Sequence, residues 1–148
     1  MHIKTSVFGQ SMLMGLALAM ILPAAARAEN EPTGYVCTFT KGTSWTFEDG
    51  AFKDKAPEAM GFTIADIDLE KQSAKLQADG AAAPGELKIV RAINANHFLG
   101  VVNEGFLNLT TVYDKDETSG VYPAVHSRHF GVLGQPVIAQ YTGSCTAK

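Results

Sequence analysis

Several things are scarce in this sequence. It has two cysteines and one tryptophan in 148 residues, and only 18% of its residues are charged. No apolar run approaches the ~20 residues a spanning helix needs, which excludes a polytopic membrane protein. There is no internal repeat, no low-complexity tract and no Ser/Pro-rich linker, so collagen-like and multidomain arrangements are excluded as well. Basic residues are in the minority, Lys+Arg 12 against Asp+Glu 15, and a chain without a basic excess offers no stripe for nucleic acid. What is present is 46% hydrophobic residues, too many for a disordered chain, at a length that suits one domain.

The composition is two populations. The opening 28 residues hold four of the five Met and none of the acids. Lys4 is followed by an apolar stretch from Leu13 to Leu22, then Pro23 and the small-x-small triplet Ala26-Arg27-Ala28. A basic start, a short apolar core and such a triplet predict a secretory signal peptide over 1–28, cut after Ala28. The apolar core is too short for a stable membrane anchor. The expected mature domain is 29–148; removing Lys4 and Arg27 leaves ten basic residues against 15 acids, a net charge of −5.

Both cysteines fall in that domain, Cys37 near its start and Cys145 near its end. Two cysteines in an exported chain predict one disulfide. Closing a loop of ~100 residues is worth about 4.7 kcal/mol in the chain-entropy description. The bridge also restricts the fold, because its two Cα atoms must lie about 4.4–6.8 Å apart. The first and last segments are therefore expected to be neighbours.

Turn signals recur at short intervals: Lys41-Gly42, Asp49-Gly50, Asp79-Gly80, Glu104-Gly105, Ser119-Gly120 and Gly134-Gln135-Pro136. Between them Tyr35, Cys37 and Phe39 alternate with Val36, Thr38 and Thr40, and Val137, Ala139, Tyr141 and Cys145 share a phase. Such spacing predicts strands. Asp49-Gly50 suits a tight hairpin. In Gly61 to Leu69 the apolar phase slips from Phe62 and Ile64 to Ile67 and Leu69, which predicts a bulge near Ala65-Asp66. Leu107 to Tyr113 is apolar on both faces and is expected to be a central strand. A partial helical stripe over Ile64 to Ala78 and a helical turn at Ala56 to Met60 are the competing readings. The predicted fold class is all-β, a small closed antiparallel barrel or tight sandwich of mostly meander topology with one disulfide. Meeting ends and short hairpins imply a curled sheet without exposed edges.

Chemistry-bearing residues are few. His126 and His129 on one strand point to opposite faces, so no metal site is expected, nor any other cofactor. Ser127 has no nucleophile elbow around it. Asp114 to Gly120 fails as a calcium loop, because positions six and twelve hold Ser119 and Val125. Asp66 and Asp68 read as a solvent-facing pair, and Asn108-Leu109-Thr110 as a chance sequon inside a strand. Arg91 and Arg128 interrupt apolar strands. Facing inward with His97, Tyr113, His126 and Tyr141, they would present donors to a small anionic or carboxylated ligand.

Two resemblances add to this. Arg91-Ala92-Ile93, His97-Phe98-Leu99, Asn108 to Tyr113, His126-Ser127-Arg128-His129, Gly134-Gln135-Pro136 and Gln140-Tyr141 are similar to stretches of small exported proteins of rhizobial-type alphaproteobacteria. That similarity implies a bacterial periplasm and no particular chemistry. Tyr35-Val36-Cys37, with Cys145 near the other end, resembles the aromatic-x-Cys of the periplasmic and membrane-bound inhibitors of C-type lysozyme. That resemblance implies a small antiparallel barrel and an inhibitory loop of the form Ser-Gly-x-x-Tyr. Ser119, Gly120 and Tyr122 match it with one spacer fewer.

The leading expectation is a non-enzymatic periplasmic binding protein for a small ligand or a periplasmic or host protein. One alternative is a lysozyme inhibitor acting through Ser119 to Tyr122. Another is a small hydrolase or isomerase using His97, His126 or His129 with Arg128.

Overall fold

Among the described residues, alternating side chains in nine consecutive segments become nine strands, and there is no helix. The computed structural model describes residues 31–78, 83–102, 106–132 and 134–148. The expected signal peptide and the turns at Asp79-Gly80 and Glu104-Gly105 lie outside the described residues. In chain order the strands are β1 (Tyr35–Glu48), β2 (Ala51–Lys55), β3 (Met60–Asp68), β4 (Ser73–Ala78), β5 (Gly85–Arg91), β6 (Ala95–Val102), β7 (Phe106–Tyr113), β8 (Tyr122–Val132) and β9 (Gln135–Ala147).

Each strand from β3 onward pairs antiparallel with the next, and β9 returns to pair with β1 from Tyr35↔Ala147 to Thr46↔Val137. The sheet is thereby a closed barrel, the first of the two expected forms. Strand β1 is long enough to serve two partners along one edge. Its Tyr35–Phe39 half pairs with β3, and its Ser44–Glu48 half pairs with β2. Eight strands therefore make the circumference, and β2 is a flap at one end. In an eight-stranded barrel the interior is just wide enough to be filled by side chains or to hold one small ligand.

Local chemistry accounts for the departures from regular pairing. Asp49 and Gly50 both have positive φ, 53° and 80°, which is what the β1–β2 hairpin requires of a turn twisted to match its strands. The predicted bulge in β3 is present. Register shifts between Ala65 and Asp68, with Asp66 at φ 52°, and that irregularity lets Phe62 and Ile64 point into the core while Ile67 and Leu69 still pack against it. A second bulge lies in β1, between Phe39 and Lys41. Beside it Gly143 passes so close that a Cβ would collide with the Thr38 carbonyl oxygen. Neither helical reading is realised: Ile64 to Ala78 is two strands and a turn, and 56–59 has no regular structure.

The core is a stack inside the barrel. At one end Tyr35 packs edge-on against Phe98 and Tyr122, with centroids 6.2 and 5.1 Å away. In the middle Phe39, Phe62 and His126 meet at 5.1–5.6 Å. The predicted disulfide is formed: Cys37 and Cys145 are opposed on β1 and β9, Cα atoms 4.0 Å apart, and both are buried. The expectation for β7 is corrected on one side. Thr110 and Val112 are buried inward, but Leu107, Leu109 and Tyr113 on the outer face are 42%, 37% and 40% exposed. Thr111 on that face is buried, but among the described residues no second layer covers its apolar neighbours.

Candidate functional site

The two ends of the barrel differ. At the end where the chain enters, Tyr35 and Tyr122 fill the bore. Burial among these rings, with the nearby Glu31 and Asp114 carboxylates, pushes the Tyr35 hydroxyl up to about 12. At the other end the bore opens into a cavity of about 610 Å³, within the usual range of ~300–1,000 Å³ for small-molecule sites.

The β1 bulge makes this opening. It moves the inward phase from Cys37 and Phe39 to Ser44, Thr46 and Glu48, which line one wall. The wall continues across the paired strands with Val137, Ala139 and Tyr141 from β9 and Arg128 and Phe130 from β8; Pro57, Glu58 and Ala59, between β2 and β3, and Met60 at the start of β3 close the side. Depth sorts these residues by chemistry. Ser44, Ala139 and Tyr141 are buried at the floor, whereas Glu48, Lys55 and Glu58 are exposed at the rim. Arg128 is half-buried between the two levels. Its guanidinium carbon lies 5.5 Å from the centroid of the Phe130 ring, a cation–π contact. Phe130 is in turn stacked on Phe106, at 5.3 Å and 17°.

One step deeper on β8 is His126, 3% exposed, with its Nδ1 hydrogen-bonded to Thr110 Oγ1 at 2.8 Å and its ring 6.0 Å from that of Tyr141. Burial, helped by the Arg128 charge, pulls its pKa down to about 4. A buried imidazolium would be poorly solvated, so the ring is neutral near neutral pH. Below the rim, then, Arg128 is the one side chain of this lining that carries charge. Among the described residues the ion pairs engage Lys53, Lys71, Lys75 and Arg91, and none engages Arg128.

Of the six residues expected to face a ligand, the structure brings Arg128, Tyr141 and His126 together. The other three lie elsewhere. Arg91 is the last residue of β5, beyond the core, and its Nη2 donates to Glu31 Oε1 at 3.0 Å. His97 lies opposite Thr111, and its Nδ1 is hydrogen-bonded to Thr111 Oγ1 at 2.9 Å. Tyr113 is on the outer face with Leu107 and Leu109. His129 is exposed on β8, facing away from His126. Among the described residues no three His, Cys, Asp or Glu side chains cluster as metal ligands would.

The Ser119 to Tyr122 segment belongs to the opposite, filled end. Asp116 caps it by accepting from the Ser119 amide and hydroxyl, both at 2.7 Å, and Gly120 turns the chain at φ 73°. The Tyr122 ring packs on Tyr35. Residue-level reading missed Ser44, Thr46, Met60, Phe130 and Val137 as lining. The only available signal was the phase change in β1, and Lys41-Gly42-Thr43 carries no apolar residue that would mark it. Compared with models of protein families, with curated proteins and with solved structures, the chain matches none of them.

Proposed function

We propose that this is a non-enzymatic binding protein of the bacterial periplasm that holds one small ligand in the open end of its barrel. The observation that carries the reading is the asymmetry of the bore. The interior is packed to the wall at the Tyr35 end and gives way, at the other, to an open-mouthed cavity of about 610 Å³ whose lining mixes apolar side chains with polar and charged ones. A concavity of that size with polar groups set beside apolar ones suits a small ligand. The β1–β9 ladder runs along the mouth from Ser44↔Ala139 to Thr46↔Val137 and holds that wall in a fixed shape, so little ordering entropy is lost when a ligand enters. The residues suited to acid–base work support binding over catalysis. His126 is enclosed by Phe39, Phe62 and Tyr141 and hydrogen-bonded to Thr110, with His97 and His129 on other faces.

Native mass spectrometry of the protein purified from its source tests this. The expected spectrum shows a discrete small-molecule increment that disappears on denaturation. A bare chain, or a complex with another protein, overturns the reading.

A further inference from the structure

We infer that the ligand is a monocarboxylate with an apolar body, its carboxylate on Arg128 and its body against Met60, Pro57, Val137 and Phe130. This rests on the cavity being a ligand site, and it adds the chemical class.

The inference follows from the order of groups along the bore. The rim carries Lys55 against Glu48 and Glu58, a net charge of −1, and so supplies no attraction to an anion. Beneath it the charge is that of Arg128 alone, set among apolar side chains and fixed by its contact with Phe130. A half-buried guanidinium without a carboxylate partner is poorly solvated, and its planar fork of donors matches a carboxylate in two parallel hydrogen bonds. A dianion such as a phosphate monoester would bring twice the charge to one cation while passing Glu48 and Glu58, so a single negative charge fits the wall better. His126, neutral behind the floor, adds no second cation. The floor hydroxyls of Ser44 and Tyr141 are uncharged groups able to donate to the same oxygens. Thr46 is a further uncharged polar group of the lining, while Pro57, Met60, Phe130 and Val137 are apolar, and a carboxylate without an apolar body would leave their surface wet.

Isothermal titration of the intact protein with octanoate, octanamide, octylammonium and acetate tests the class. Three proteins are compared: wild type, Arg128→Gln, and Thr46→Trp, whose added ring occupies the mouth without touching the deep core. Octanoate is expected to bind wild type, octylammonium and acetate to show no heat of binding, and octanamide to bind more weakly than octanoate. Arg128→Gln should lose roughly ten- to hundredfold in octanoate affinity, the worth of charge-assisted hydrogen bonds, and Thr46→Trp should not bind. If octanamide binds as tightly as octanoate, or Arg128→Gln keeps wild-type affinity while Thr46→Trp binds nothing, the carboxylate class is wrong and the cavity remains the site. If Thr46→Trp binds octanoate as wild type does, or no probe binds wild type, the cavity reading falls with it. Circular dichroism of both variants confirms that each is folded.

Discussion

Acid should weaken this barrel through His126 before it affects any carboxylate. In the folded protein the ring is enclosed by Phe39, Phe62 and Tyr141 and held by Thr110, and its pKa lies at about 4 against 6.5 when unfolded. Near neutral pH the ring is neutral in both states and costs nothing. Between about 6.5 and about 4 the unfolded chain takes up a proton that the folded one refuses, so stability falls as pH falls through that window and levels off below it. At 1.36 kcal/mol per unit of pKa difference, the loss is about 3 kcal/mol. That is a large part of the 5–15 kcal/mol typical of a small domain. Asp68 and Asp116 do not confuse the signal. Hydrogen bonds from Lys71 and Ser119 hold both below the ordinary 3.8, and the stability they confer is lost only at more acid pH. Urea unfolding at a series of pH values across the window is the assay. Wild type should show the decline, His129→Gln should show the same decline, and His126→Phe should be nearly flat. A wild-type midpoint unchanged across the window, or a decline that survives in His126→Phe, refutes the argument.

Other outcomes follow from the packing. Replacing Cys37 and Cys145 together by Ala should cost up to about 4.8 kcal/mol in chemical denaturation, the loop-entropy value for a separation of 108 residues. A change below ~1 kcal/mol would mean that the β1–β9 ladder alone closes the ring. Phe39→Ala empties the middle of the bore and should cost about 3–5 kcal/mol, whereas Phe52→Ala, on the exposed flap, should cost far less; equal losses would contradict the layering described. Gly143→Ala should fail to fold or lower the melting temperature sharply, because its Cβ would meet the Thr38 carbonyl oxygen and the adjacent β1 backbone. A wild-type melting curve would show that the bulge relaxes.

Much of the architecture was legible because the apolar phase records which face of a strand is buried. The alternation Tyr35-Cys37-Phe39 placed the first cysteine inside, the slip from Ile64 to Ile67 marked the β3 bulge, and Asp49-Gly50 marked a hairpin. The cavity was harder to read, since it depends on the Phe39/Lys41 bulge, and no apolar residue lies between Lys41 and Thr43 to show the phase turning over. Arg91 and Arg128 are alike in sequence, each interrupting an apolar strand. What separates them is position along the barrel axis: Arg91 ends its strand beyond the core at the filled end, while Arg128 faces the bore at the open end. The outer face of β7 misled for a related reason. Leu107, Leu109 and Tyr113 look like a second buried face, and only the closure of the sheet shows that no layer covers them.

The most direct test of the central claim is a crystal structure of the protein grown with octanoate. The acyl chain should lie along Met60, Val137 and Phe130, with both carboxylate oxygens within hydrogen-bonding distance of the Arg128 guanidinium. Side chains filling the mouth, or octanoate ordered on the outer face of β7 with the bore unchanged, would contradict that claim.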